Sequence, residues 1–150
     1  MQTIIIQLAT AFFGSLGFSI MFRVRGRLLL PASLGGLFTW SIYLLLHHLT
    51  GTIFSPCLLA SAFAAAYAEL LARLLHAPAT LFVIPSAIPL IPGSYLYYGM
   101  LAAVQNRMAD CQTQFFLMME FAIAIALGMS VVWTIIYMSS HISHSHRTAG

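Results

Sequence analysis

Between Thr80 and Val104 the chain carries no charged residue, a run long enough to cross a hydrocarbon core of roughly 30 Å. Pro85, Pro89, Pro92 and Gly93 all fall inside that run. A proline has no amide hydrogen and its ring clashes with the carbonyl four residues back, so three of them at this spacing disrupt more than one turn. The sequence therefore predicts a membrane span that is broken near its middle. Backbone groups freed at such a break cannot face lipid; they must be buried in protein or line a wet cavity, as in the discontinuous helices of transporters.

The rest of the sequence agrees with a membrane solvent. Hydrophobic residues make up 61% of the chain and charged residues 6%, a balance that a water-exposed surface does not carry. Six arginines oppose Glu69, Asp110 and Glu120, and lysine is absent. This net charge of +3 is too dilute for a nucleic-acid footprint, and its use lies in fixing orientation. The expected fold is an all-α integral membrane protein of about five transmembrane helices, the fourth broken by the Pro/Gly motif. Residues 1–140 read as a single transmembrane domain and 141–150 as a short polar cytoplasmic tail.

The first span is expected over Thr3 to Phe22, with no basic residue before it and Arg23, Arg25 and Arg27 after it. A secretory signal has the opposite layout, so this reads as a retained helix with its N-terminus outside. Gly14 and Gly17 would let a neighbouring helix approach. A second span, Leu28 to Leu46, begins through Pro31, where proline suits a first turn, and carries Gly35 and Gly36 as a packing face. His47 to Thr52 reads as a polar break. A third span from Ser55 to Leu75 has small residues on nearly every face and suits packing on several neighbours at once. The fifth runs from Thr113 to about Met138 and contains Glu120, after a polar stretch from Gln105 to Gln112.

With five spans, Arg23, Arg25, Arg27, Arg73 and Arg147 share one side and Arg107 lies on the other, which places the arginine-rich side and the C-terminus in the cytoplasm. A re-entrant reading of the broken segment leaves four spans and a weaker bias, so the residues alone leave both counts open. Cys57 and Cys111 both reach the outer face in the five-span arrangement; they read either as small apolar residues or as a pair. No metal-ligand spacing and no cofactor motif is present, and the tail histidines His141, His144 and His146 match no standard site.

Two places invite chemistry. Glu69 and Arg73 stand at i,i+4 on one helix face; Glu69 either pairs with Arg73 at the interface or carries a coupling proton. If the broken helix restarts at Gly93 and Ser94, the first amides of the new half-helix, those of Ser94, Tyr95 and Leu96, would meet a carboxylate at the positive end of a helix dipole. Pro89 and Pro92 hold the break open, Gly93 permits close approach, and Ser86, Ser94, Tyr95 and Tyr97 add hydroxyls to the proposed substrate site. Tyr97 and its neighbour Tyr98 also suit interfacial anchoring. Paired carboxylates and an activated nucleophile are missing, which argues against an enzyme.

The order of the basic loop Phe22-Arg23-Val24-Arg25-Gly26-Arg27, then Ala68-Glu69-Leu70-Leu71-Ala72-Arg73, Pro78-Ala79-Thr80, and Ile88-Pro89-Leu90-Ile91-Pro92-Gly93 followed by Tyr97 and Met100 resembles the threonine/serine exporter family. Most closely it resembles the small subunit of the two-component form, which corresponds to the C-terminal half of the fused exporters. The resemblance implies proton-gradient-driven export of small carboxylate-bearing metabolites, threonine and serine or a dicarboxylate such as succinate, across a bacterial inner membrane. It also implies a larger membrane subunit carrying the complementary half, or a homo-oligomer, as partner. The competing expectation is a structural or assembly subunit whose broken helix only packs against a transporting partner.

Overall fold

The computed structural model describes residues 2–147, with side chains described for residues 3–138. The chain forms α1 (Gln2–Met21), α2 (Gly26–Thr50), α3 (Phe54–Leu75), α4 (Thr80–Ala87), a 3₁₀ turn η1 (Ile88–Leu90), α5 (Gly93–Val104) and α6 (Met108–Arg147). No strand occurs among the described residues. Four helices are long and apolar enough to cross a membrane, and Thr80–Leu90 with Gly93–Val104 form a further pair bent by 47°.

Several boundaries differ from the sequence reading. α2 begins at Gly26, so Pro31 lies inside the helix rather than in its first turn, and it continues through His47 and His48 to Thr50. The His47 ring stacks on Tyr43 at 5.6 Å and its Nδ1 meets the Thr52 carbonyl at 2.7 Å, which lets this polar pair finish a helix instead of breaking it. α6 starts at Met108, inside the polar stretch expected to precede the fifth span. Asp110 in its first turn suits the positive end of the helix dipole. The backbone of α6 stays helical to Arg147, through most of the segment expected as a short polar tail. The side chains of His141, His144 and His146 lie outside the described residues.

The direction of α3 relative to α6 decides how the bent pair runs. The Cys57 thiol donates to the Phe121 carbonyl at 3.8 Å, and the Ser61 hydroxyl reaches the Ala124 carbonyl at 3.3 Å. One end further along, Glu69 and Arg73 share a cavity with Trp133 and Tyr137. Residue numbers rise together on both helices, so α3 and α6 are parallel. Two parallel membrane helices require the chain between them to return across the bilayer. The α4–η1–α5 pair is therefore a broken span, not a re-entrant loop, and the protein has five crossings.

The same register sorts the ends. The loop holding Arg23, Arg25 and Arg27 lies against His76 and Pro78, next to the Arg73 end of α3. At the opposite end, Arg107 pairs with Asp110 at 3.1 Å in the α5–α6 turn. The two cysteines are both free. Cys57 reaches Phe121, ten residues and about 15 Å beyond Cys111 along α6, well outside the span of a disulfide.

Packing follows small residues, as expected where lipid removes the hydrophobic drive between helices. α3 buries Cys57, Ala60, Ser61, Ala64, Ala65 and Ala68 and contacts α2, α4 and α6. A Cβ on Gly35 would collide with the Ser86 hydroxyl, and one on Gly36 with Ser15 and with the Pro85 carbonyl at 3.0 Å. Gly128 of α6 sits equally tight against Ser61 and the Leu58 carbonyl. Gly14 and Gly17 behave otherwise: nothing lies within 4 Å of a Cβ at either position, so the packing they were expected to serve is not made within this chain. α1 instead buries Ala11, Ser15 and Ser19, spaced by one helical turn.

Candidate functional site at the broken span

Each proline in the break orphans the carbonyl four residues before it. The Pro85 carbonyl, which has no donor because residue 89 is proline, accepts the Ser15 hydroxyl of α1 at 2.8 Å. The Ile88 carbonyl, orphaned by Pro92, accepts the Ile91 amide at 3.1 Å, closing the 3₁₀ turn. Ile91 then turns extended, and the Gly93 amide bonds back to its carbonyl at 2.8 Å.

α5 restarts on Pro92 with no side-chain cap. The Leu96 amide bonds to the Pro92 carbonyl at 3.3 Å, so it is not one of the free donors expected from the sequence. The amides of Ser94 and Tyr95 are left without a backbone acceptor among the described residues. Gly93 and Ser94 are exposed, and a Cβ on Gly93 would meet nothing within 4 Å. Just before the restart, Leu90 packs with Tyr43, Cys57 and Phe121 inside the bundle.

The hydroxyls named from the sequence do not all converge. Ser86 is fully buried beside Gly35, and its Oγ has no hydrogen-bond partner. Tyr95 is half-buried with its ring 5.4 Å from Phe121. Tyr97 is 62% exposed and packs edge-on against Tyr98. Pro89 lines a groove of about 200 Å³ with Gln7, Thr10, Ala11 and Trp40. Thr39, one turn after Gly35 and Gly36, is also fully buried with its Oγ1 unpartnered. This second unsatisfied buried hydroxyl, on α2, is a feature the sequence reading missed; Thr39 and Ser15 would have been visible only as polar residues one turn from small ones.

Glu69 Oε1 receives the Arg73 guanidinium at 3.0 Å, with the two side chains 28% and 62% exposed. The pair borders a cavity of about 380 Å³ with Ala79, Trp133 and Tyr137. At the same end a larger cavity, about 740 Å³, is lined by Arg23, Arg25, Arg27 and His76. Among the described residues no group of histidine, cysteine and carboxylate side chains is arranged to hold a metal.

Five crossings, one broken at a Pro/Gly motif whose restarted helix shows unpaired amides, define a polytopic membrane protein with a discontinuous helix of the kind found in transporters. A family model described as "Threonine/Serine exporter, ThrE" matches residues 7–135, and the chain belongs to this exporter family. No curated protein and no solved structure matches it.

Proposed function

We propose that this chain is one subunit of an exporter that moves small carboxylate-bearing metabolites, threonine and serine or a dicarboxylate such as succinate, at the expense of the proton gradient. The observation that carries this reading is the pair of Ser94 and Tyr95 amides without acceptors at the restart of a broken span. In lipid such donors are costly, and a carboxylate at the positive end of α5 satisfies them. Ser86, Pro89, Pro92, Gly93, Ser94, Tyr95 and Tyr97 form the proposed substrate region.

Glu69 is the proposed coupling carboxylate at the arginine end: it pairs with Arg73 when charged and releases the guanidinium when protonated. The arginine-rich end faces the cytoplasm of a bacterial inner membrane and the N-terminus lies outside, in keeping with the positive-inside rule. The open face at Gly93 supports a partner, either a larger membrane subunit carrying the complementary half or further copies of this chain.

That open face also favours the alternative, a structural subunit whose broken helix is covered by the partner. Metabolite efflux from cells with and without this chain, and with and without a candidate larger subunit, separates the two. Export that requires this chain, and that changes with substitutions at the break at constant assembly, supports the first reading. Export that depends only on how much complex assembles supports the second.

A further inference from the structure

We propose that the basic cavity at the arginine-rich end is a lipid site: it holds the phosphate of an anionic phospholipid where α1, α2 and α3 meet, while an acyl chain lies in the apolar cleft beside α4. The site is independent of what the protein exports.

The charge in this cavity has no answer inside the chain. Arg23, Arg25, Arg27 and His76 line a space of about 740 Å³, and among the described residues none of the four side chains has a hydrogen bond or an ion pair. The whole sequence holds three acidic residues. Glu69 receives Arg73 at 3.0 Å, and Asp110 receives Arg107 at the opposite end of the bundle. Glu120 adjoins Phe121, which meets Cys57 at the far end of α3 from His76. The carbonyl ends of α1 and α3 offset about half a charge each, and the amide end of α2 adds about half. That amide end has no side-chain cap and no acidic residue in its first turn. Most of the arginine charge is therefore left for an anion from outside the chain.

Two of the basic residues stand where helices commonly place glycine. Arg23 (φ 53°) and His76 (φ 50°) are the left-handed residues that close α1 and α3. In each case the next amide bonds back five residues, Val24 to Ser19 and Ala77 to Ala72, the closing pattern that glycine serves at least steric cost. A basic side chain at both positions sets two hydrogen-bond donors on one cavity.

A free phosphate would need only these charges; the cleft next to them favours a lipid. Phe22, Thr80, Ile84 and Pro85 border a space of about 150 Å³, and Leu81 is a wall of both spaces. Leu81, Ile84 and Pro85 share one face of α4, so the cleft leads from the arginine end toward the middle of the broken span. Phe22 and Ile84 are exposed there, as side chains that meet an acyl chain are. A cationic mouth opening on an apolar cleft matches a phospholipid end to end, and basic pockets between transmembrane helices take anionic headgroups in this way. The cleft reaches Pro85, whose carbonyl the Ser15 hydroxyl holds, so a bound acyl chain packs on the joint between α1 and α4.

The test adds lipid to the delipidated full chain in a neutral detergent, with bound lipid counted by native mass spectrometry and the thermal midpoint read in parallel. The probes are phosphatidylglycerol, phosphatidylcholine with the same acyl chains, and water-soluble glycerol 3-phosphate. Phosphatidylglycerol is expected to bind and to raise the midpoint, and the other two to do neither. Arg23→Gly and His76→Gly suit the left-handed backbone and leave the remaining arginines to fix orientation. Arg23→Gly should weaken phosphatidylglycerol binding about tenfold, the effect of one charge-assisted hydrogen bond, and His76→Gly by less. Arg107→Gln, at the other end, should bind as the parent does. Equal binding of phosphatidylcholine overturns recognition of the anion. A response to glycerol 3-phosphate as large as that to phosphatidylglycerol assigns the cavity to a soluble phosphate and overturns the lipid site. Unchanged phosphatidylglycerol binding in both glycine variants, or an equal loss in Arg107→Gln, overturns the placement in this cavity.

Discussion

The Ser15 hydroxyl of α1 donates to the Pro85 carbonyl of α4 at 2.8 Å, a contact between residues 70 apart that replaces the amide Pro89 cannot supply. The break in the fourth span is thereby stitched to the first span. Gly36 of α2 completes the arrangement, since a Cβ there would displace both partners.

Removing that donor should be felt. Ser15→Ala leaves a buried carbonyl with no partner, at a cost of about 1–3 kcal/mol. The expected outcome is a lower thermal midpoint for the detergent-solubilised protein, with Ser15→Thr closer to the parent. An unchanged midpoint in Ser15→Ala would show that another donor reaches Pro85.

The glycines divide into two groups with opposite expectations. Gly36→Ala drives a methyl group into Ser15 and a backbone carbonyl and should destabilise by about 1–3 kcal/mol, as overpacking does. Gly14→Ala and Gly17→Ala meet nothing within the chain and should leave the isolated protein as stable or slightly more so, given alanine's better helix propensity. If either lowers recovery of a complex while the isolated chain is unaffected, the partner packs on that face of α1.

Topology is checked with single cysteines in a Cys111→Ser background, leaving the buried Cys57 in place. A membrane-impermeant thiol reagent should label Gln112→Cys from outside intact cells and Arg25→Cys only after the inner face is opened. Labelling of both from the same side contradicts five crossings.

Glu69→Gln removes the charge that Arg73 answers. Gradient-driven export should be lost while insertion and assembly are retained. Full export at every external pH returns the pair to an anchoring role at the helix end.

Much of this arrangement is legible in the residues because proline chemistry is local. Pro89 and Pro92 end the regular helix, although Pro85, expected to help break it, is accommodated inside α4, and Gly35–Gly36 announces close packing without saying on what. The partners were not legible. Ser15 and Thr39 matter through the rotation of α1 and α2 about their axes, which no hydrophobic pattern fixes in a chain apolar on nearly every side. Gly14 and Gly17 showed the converse error, a packing signal with nothing inside the chain to receive it. The number of crossings became definite only through the parallel register of α3 and α6, a relation between residues as distant as Cys57 and Phe121.

The substrate site is tested most sharply at Gly93, because its surroundings separate ligand effects from folding effects. Its φ is not in the left-handed region, and a Cβ there meets nothing within 4 Å, so Gly93→Val fits the isolated chain. The added bulk stands beside the unpaired Ser94 and Tyr95 amides and obstructs whatever approaches them. Efflux per inserted molecule should fall severely while abundance holds. Pro89→Ala probes the same site from the other side. It returns an amide that can bond the Pro85 carbonyl, competes with Ser15 for it, and straightens the segment, so transport should change more than insertion. Normal efflux per molecule in Gly93→Val would remove the break from the substrate path. A parallel loss of assembly in both variants, with efflux per molecule preserved, would assign the same open face to a partner helix.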